Sequence, residues 1–489
     1  MGSLVSVISK HGENVIPEVA KMLRVLRHRG KEAYGISTDK TLTIAKKIDE
    51  LEESLDMSSD VALGHNFSRI LPDDIPQPIE RDDFKIIFEG RVFSPLMRKE
   101  DITDLMSQFN NIEDIAKIII NNVNGSFSFI ILKGKRLLVG RDPIGGVPLY
   151  FGSNERFYAL ASERKALWLL GIKNNHIKSF PPGNLAEIDR NGVKFQPIKI
   201  LKKPRKKAVG ENFVLGELYM LLLKSIRERT ADLNRVSLAF SGGLDSSILA
   251  VLMKKCGITP LLISVSLEGT RELEYAEKIA EEINLPFIAK TYTLDDVEET
   301  LRKVLWLIEE ANALRAAICI PTFWVAEISS KMNCKVAFSG QGSDELFAGY
   351  HKYLNELKRS EENAEQTLYH DVFKLHENSL ELDEKIYSFH GVEIRFPYMD
   401  FNLASFALSL PITLKIESEE DPLRKRILRK LAKHIGLPPE VYLKPKKAIQ
   451  YGTRVNKALK KIAKRKKLSM RDFINQVFKE MEWFICEQQ

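Results

Sequence analysis

Ser241-Gly242-Gly243-Leu244-Asp245-Ser246-Ser247 is the stretch that decides the fold. It follows a compact apolar run, Val236–Phe240, that reads as a buried strand, and it leads into Ser247–Lys255, which reads as a helix. A strand, a glycine-bearing turn and a helix start together make an anion site. The glycines let the backbone approach closely, the first N–H groups of the helix are unpaired, and the helix dipole favours negative charge there. The serine hydroxyls add donors. Asp245 would repel bare phosphate, so it makes sense as a ligand for a metal ion that bridges phosphates. The run lacks a Gly-Lys-Ser/Thr end and is not the common nucleoside-triphosphatase loop.

Downstream, Pro260–Leu267 and Phe287–Tyr292 read as strands separated by the amphipathic segment Glu272–Ile283. Long helical segments follow, and Lys335–Phe338 is a further short strand. This alternation predicts a parallel sheet covered by helices. A second loop, Ser339-Gly340-Gln341-Gly342-Ser343-Asp344-Glu345, follows the last of these strands. In a doubly wound sheet both loops lie at the carboxyl ends of strands, where ligands bind. Asp245 and Asp344 are then expected to hold one Mg²⁺ between them.

Upstream, residues 1–200 read as mixed β and α. Strand-like runs recur at Leu4–Ile8, Phe84–Phe88, Phe127–Leu132 and Phe157–Ala161, with one helix pattern from Val15 to His28. The basic run Lys202-Lys203-Pro204-Arg205-Lys206-Lys207 marks a linker over 201–210, and a second domain is expected over 211–489. The tail from Arg454 is basic and helical.

The 489 residues are 44% hydrophobic and 28% charged, which excludes a disordered or fibrous chain and suits two or more domains. Lys and Arg number 73 against 66 Asp and Glu, a net +7. Over this length the excess is mild, and nucleic acid is not expected as a partner. The four cysteines lack CxxC spacing and His partners at zinc-site intervals, which favours a reduced cytoplasmic protein. No stretch of about 20 apolar residues is present, so no membrane span is expected.

The chain resembles the asparagine synthetase class B family. Ser241–Ser247 looks like that family's pyrophosphate loop, Ser339–Tyr350 is similar to its second loop, and Glu393-Ile394-Arg395-Phe396-Pro397-Tyr398-Met399-Asp400 resembles its ExRxPFLD segment. Lys446, ahead of Gly452, falls where the family places a catalytic lysine. The N-terminal half matches at Arg27–Gly30, Gly64-His65, Gly140–Pro143 through Phe151, Ala161–Glu163 and Phe180–Gly183.

The resemblance implies an α+β N-terminal glutaminase-like sandwich followed by an α/β ATP-pyrophosphatase synthetase domain. It implies ATP and Mg²⁺ as cofactors, small-molecule carboxylate and amine substrates, and leaves room for a homodimer. By that likeness Asp245 and Asp344 hold Mg²⁺, while Ser241, Gly242, Gly243, Ser246 and Ser247 cradle pyrophosphate. Val265 and Gly340 meet adenine through the main chain, and Arg315 grips a substrate carboxylate. Lys446 neutralises charge in the transition state, with Gln341 and Glu393 as further catalytic positions.

Several positions depart from the pattern. The family's glutaminase attacks with a cysteine at position 2, where this chain has Gly2. Its arginine clamp aligns with Phe67, its oxyanion asparagine with Glu89, and its amine-anchoring aspartate with Asn124. An anion beside a developing oxyanion opposes catalysis. These changes predict a glutaminase-like domain that does not hydrolyse glutamine. In the synthetase half Gln341 replaces a glutamate that could take a proton from an attacking amine; an amide cannot. The family's Thr-Thr-x-Arg run appears as Asn312-Ala313-Leu314-Arg315.

The reading is therefore an AMP-forming amide ligase that adenylates a carboxylate, aspartate by resemblance, for attack by ammonia or another amine. A ligase of the β-lactam synthetase type or acting on another metabolite is the close alternative. A non-catalytic nucleotide-binding regulatory protein, and an ATP-pyrophosphatase acting on RNA, are the others.

Overall fold

Side-chain alternation along the first strand sets the architecture of the N-terminal unit. In Gly2–Ser9, Leu4 and Ile8 point one way, into a core shared with Leu63, Ile87, Ile130 and Val139. Val5 and Val7 point the other way, onto Val19 and Leu23 of the helix Ile16–Val25. Such period-2 alternation requires apolar partners on both faces of the sheet. The sheet has seven antiparallel strands in the order Ile177–Ser179, Tyr150–Ser153, Phe157–Ala161, Gly2–Ser9, Val61–Phe67, Ala33–Ser37 and Leu42–Ala45.

A second antiparallel sheet runs Gly192–Pro197, Asn184–Asp189, Arg136–Arg141, Asn124–Lys133, Phe84–Ser94 and Ile79–Arg81. Its inner face supplies Ile87, Ile130 and Leu132 to the shared core. Its outer face buries Phe88, Phe127 and Phe129 against Ile115 and Ile119 of the helix Ile112–Asn122. The result is a four-layer helix–sheet–sheet–helix sandwich. Each fully buried large side chain of this kind contributes roughly 1.5–3 kcal/mol.

The computed structural model describes residues 2–53, 58–107, 111–203, 210–445 and 448–486. It separates into two compact units: residues up to Ile200 together with those from Lys479, and Leu201–Phe478. The expected linker lies mostly at 204–209, outside the described residues, and so does Lys446.

The second unit is built on five parallel strands in the order Phe287–Tyr292, Leu261–Leu267, Ser237–Ala239, Val336–Phe338 and Glu393–Arg395. Helices such as Leu244–Lys255 and Ala313–Lys331 turn apolar faces inward. Leu262 and Ile263 are both fully buried, as a sheet covered on both faces demands. The strand order reverses between Ser237–Ala239 and Val336–Phe338, which are hydrogen-bonded neighbours. The loops that leave these two strands therefore open into one crevice. The helix after the first loop starts at Leu244, three residues before the sequence reading placed it. Extended Gly243 caps it and Asp245 sits in its first turn, so both loop aspartates belong to helix starts.

Candidate active site

Glycine decides how close the two loops come. Gly242 has φ +67°, a left-handed conformation that favours glycine, and a Cβ there would meet Tyr275 at 3.0 Å. A Cβ on Gly340 would stand 3.2 Å from Asp245 Cβ and 3.7 Å from the Ser246 nitrogen. The second loop thus lies directly on the first. Within the first, the Ser246 hydroxyl accepts from Ser241 N at 3.3 Å, and the Ser241 hydroxyl accepts from Gly243 N at 3.3 Å. Val265 is buried in the neighbouring strand Leu261–Leu267. Ser247 is fully buried, its hydroxyl without a hydrogen-bond partner among the described residues.

The two aspartates converge. Lys425 Nζ donates to Asp245 Oδ1 and Oδ2, both at 2.8 Å, and lies 2.6 Å from Asp344 Oδ1. It also donates to the Ser343 hydroxyl at 3.0 Å. The Lys425 side chain is only 2% exposed and each aspartate 15%. One cation within reach of both carboxylates shows that their oxygens can share a positive ion, so the donor set fits a hard divalent metal. Among the described residues no cluster of three or more metal-type side chains exists. A metal there would rest on two carboxylates, its other positions left to ligand oxygens and water.

Lys425 was not visible to sequence reasoning. It sits in Leu423-Arg424-Lys425-Arg426, a basic run without a motif signal, 180 residues from Asp245. Tyr398 completes the floor. Its hydroxyl donates to Asp245 O at 3.2 Å, and burial, reinforced by both aspartates, pushes its pKa well above the usual phenol range.

Gln341 Nε2 donates to Asp383 Oδ2 at 3.0 Å. Asp383 is fully enclosed, and burial raises its pKa to about 7 despite that hydrogen bond. Arg315 stands in the first turn of its helix, where Asn312 caps the N-terminus. Its guanidinium pairs with Glu310 and donates to Asn378 Oδ1 at 2.8 Å. Glu393, expected as a catalytic position, is buried in the edge strand Glu393–Arg395. Its carboxylate accepts Arg395 Nε at 2.7 Å, and Arg395 makes a two-pronged contact with Asp232 at 2.7 and 3.1 Å. These ion pairs tie the edge strand to Asp232.

In the N-terminal unit, Gly2 is tightly surrounded. Gly2 pairs with Phe67 in the ladder, and a Cβ on Gly2 would lie 1.9 Å from the Asn66 carbonyl oxygen and 2.8 Å from the His65 ring. Glu89 fills the space beside it. It accepts Gly2 N–H at 2.9 Å, meets His65 Nε2 at 2.7 Å and Lys99 Nζ at 3.4 Å. Burial alone would raise the Glu89 pKa, but Lys99 and His65 hold it well below the carboxylate range. Burial lowers that of His65. Phe67 is buried, and Asn124 opens its strand.

Comparisons with known proteins match two parts of the chain to different families. The asparagine synthase family model matches residues 217–365 and 356–480, and a glutamine amidotransferase domain matches 68–168. A Methanocaldococcus jannaschii protein provisionally named a glutamine-hydrolysing asparagine synthetase is 28% identical, over 95% of this chain and 96% of its own. The glutamine-hydrolysing asparagine synthetase of Gallus gallus is 27% identical over 74% of this chain and 69% of its own. Among solved structures, the glutamine phosphoribosylpyrophosphate amidotransferase of B. subtilis matches with a TM-score of 0.36 at 17% identity, covering 59% of this chain and 65% of that one. No helix among the described residues is long and apolar enough to cross a membrane.

Proposed function

The chain belongs to the asparagine synthase family, and from that premise we propose that it is an ATP-dependent, AMP-forming amide ligase that does not hydrolyse glutamine. The observation that carries the reading is the convergence of Asp245 and Asp344 from two loops at the strand reversal. Bound there, Mg²⁺ would supply charge neutralisation to a polyphosphate.

The loop residues do the rest. Ser241, Gly243 and Ser246, at the start of the helix Leu244–Lys255, offer donors to the pyrophosphate. The main chain at Val265 and Gly340 flanks the adenine. A substrate carboxylate attacks the α-phosphate, pyrophosphate departs, and an amine then takes the acyl group from AMP. Lys446, assigned by sequence alone, supplies positive charge to the departing phosphate.

The loss of glutaminase chemistry is supported on the other unit. Gly2 has no nucleophile, the neighbouring carbonyl occupies the room a side chain would need, and an ionised Glu89 stands beside it. The amine therefore comes from solution, with ammonia and aspartate as the first pair to try. Two observations favour a different amine or acceptor, as in β-lactam-forming ligases. Gln341 binds Asp383 through its amide nitrogen, and Ala313 lacks the hydroxyl of the family's substrate run.

The test is pyrophosphate release from Mg-ATP, screened over candidate carboxylates with ammonium, with mass spectrometry of the product. Asparagine formation is expected first. Another amide would select the second reading. ATP binding without turnover on any substrate would make the chain a nucleotide-binding regulator and overturn the proposal.

A further inference from the structure

The ammonium of Lys425 stands where both metal-type carboxylates point, and its backbone is strained to put it there. Arg424 and Lys425 both have φ +53°, consecutive left-handed residues that carry side chains. Outliers of this kind persist only where the surroundings over-determine them, and here they do. Asp421 Oδ1 accepts from Leu423 N at 2.8 Å and Arg424 N at 3.0 Å. Arg424 Nε donates to Gly349 O at 3.0 Å, and Arg429 Nε donates to Arg424 O at 2.7 Å.

The second loop is shaped for the same contact. A Cβ on Gly349 would lie 1.9 Å from Asp344 Oδ1 and 2.4 Å from Lys425 Cε, so only glycine leaves room for this pair. Lys425 thus receives oxygen ligands from both loops: Asp245 Oδ1 and Oδ2, the Ser343 hydroxyl and Asp344 Oδ1. Two partly buried carboxylates facing each other repel unless a cation separates them.

We infer that Lys425 is a resident cation that holds the Asp245–Asp344 pair together and competes with a divalent metal for it, so that metal enters only with nucleotide. The polyphosphate provides the new partner that the displaced ammonium needs, because a buried cation cannot be left unpaired. The inference deepens the ligase reading and rests on its assignment of both aspartates as metal ligands. Lys425 is then a positioning residue, acting through the two carboxylates.

The experiment measures Mn²⁺ binding to the full chain by electron paramagnetic resonance, with Mn²⁺ alone and with Mn²⁺ plus a non-hydrolysable ATP analogue. Wild type is expected to bind Mn²⁺ tightly only with the analogue. Lys425→Met, which keeps an unbranched side chain one atom shorter and removes its charge, should bind Mn²⁺ alone at least about ten-fold tighter than wild type. Ser343→Ala removes one acceptor from the ammonium and no carboxylate. It should move Mn²⁺-only binding in the same direction by a smaller factor, and it decides the matter if the Met variant fails to fold. Equal Mn²⁺-only affinity in wild type and variants, with wild type still binding Mn²⁺ beside the analogue, overturns the inference and spares the ligase reading. No Mn²⁺ binding in wild type under either condition overturns both.

Discussion

Asp344 illustrates how much one side chain does. It is expected to bind metal, and it shares the buried ammonium of Lys425. Asp344→Asn should lower pyrophosphate release from ATP by about 10²-fold or more, since it removes charge where charge develops. Activity near wild type would sink the metal assignment. Asp383 gives a pH prediction. Its folded pKa is about 7, against roughly 3.9 in an unfolded chain. The folded state thus holds a proton that the unfolded state has already released, and stability falls as pH rises from about 4 to 7. Asp383→Asn escapes that loss. Thermal melts should show the variant gaining on wild type as pH climbs to 8, and parallel curves would refute the burial argument. Gly2→Cys should restore no glutamate release from glutamine. It should also cost about 1–3 kcal/mol, because the added atoms meet Asn66 O. Measurable glutaminase activity in that variant would contradict the closed geometry.

At the scale of elements, the turn from the strand Val336–Phe338 into the helix Ser343–Leu346 hinges on Gly342. Its φ is +89°, and a Cβ would fall 2.2 Å from Met399 Sδ. Gly342→Ala should therefore destabilise by about 1–3 kcal/mol and weaken ATP binding, read by calorimetry with the nucleotide. An Ala variant with unchanged melting and affinity would show that the loop tolerates another path. The strand reversal is what turns two separate turns into one crevice, so a local change here acts on both loops.

Across the whole molecule, strands and loops were legible because each carries a local signal. The parallel strands are short runs between helical segments, and the sequence reading places Phe287–Tyr292 with the same ends as the structure. The family motifs located both aspartates for the same reason. Long-range pairing was not legible. Lys425 meets Asp245 across 180 positions, and Gln341 meets Asp383 across 42, with no periodic pattern linking either pair. The ion pairs of Glu393 were not legible either, because a motif records neighbours in sequence. It does not record Asp232, which occupies Arg395 from 163 residues away. The surroundings of Gly2 were half visible: Gly2 and Glu89 stand out as mismatches in the sequence, while the Asn66 carbonyl beside Gly2 emerges only from strand register. A molecular consequence can be checked directly. Ammonium should support AMP formation from ATP at the same rate whether or not glutamine is present, and glutamine alone should yield no glutamate.

The buried ammonium also changes what survival of the two loop aspartates would mean. A lineage that had abandoned turnover would still pay in folding for drift at Asp245 or Asp344, because either loss strands Lys425 without its counter-charge. A library of variants selected on solubility alone, with no demand for catalysis, should therefore purge substitutions at both aspartates as firmly as one selected for growth.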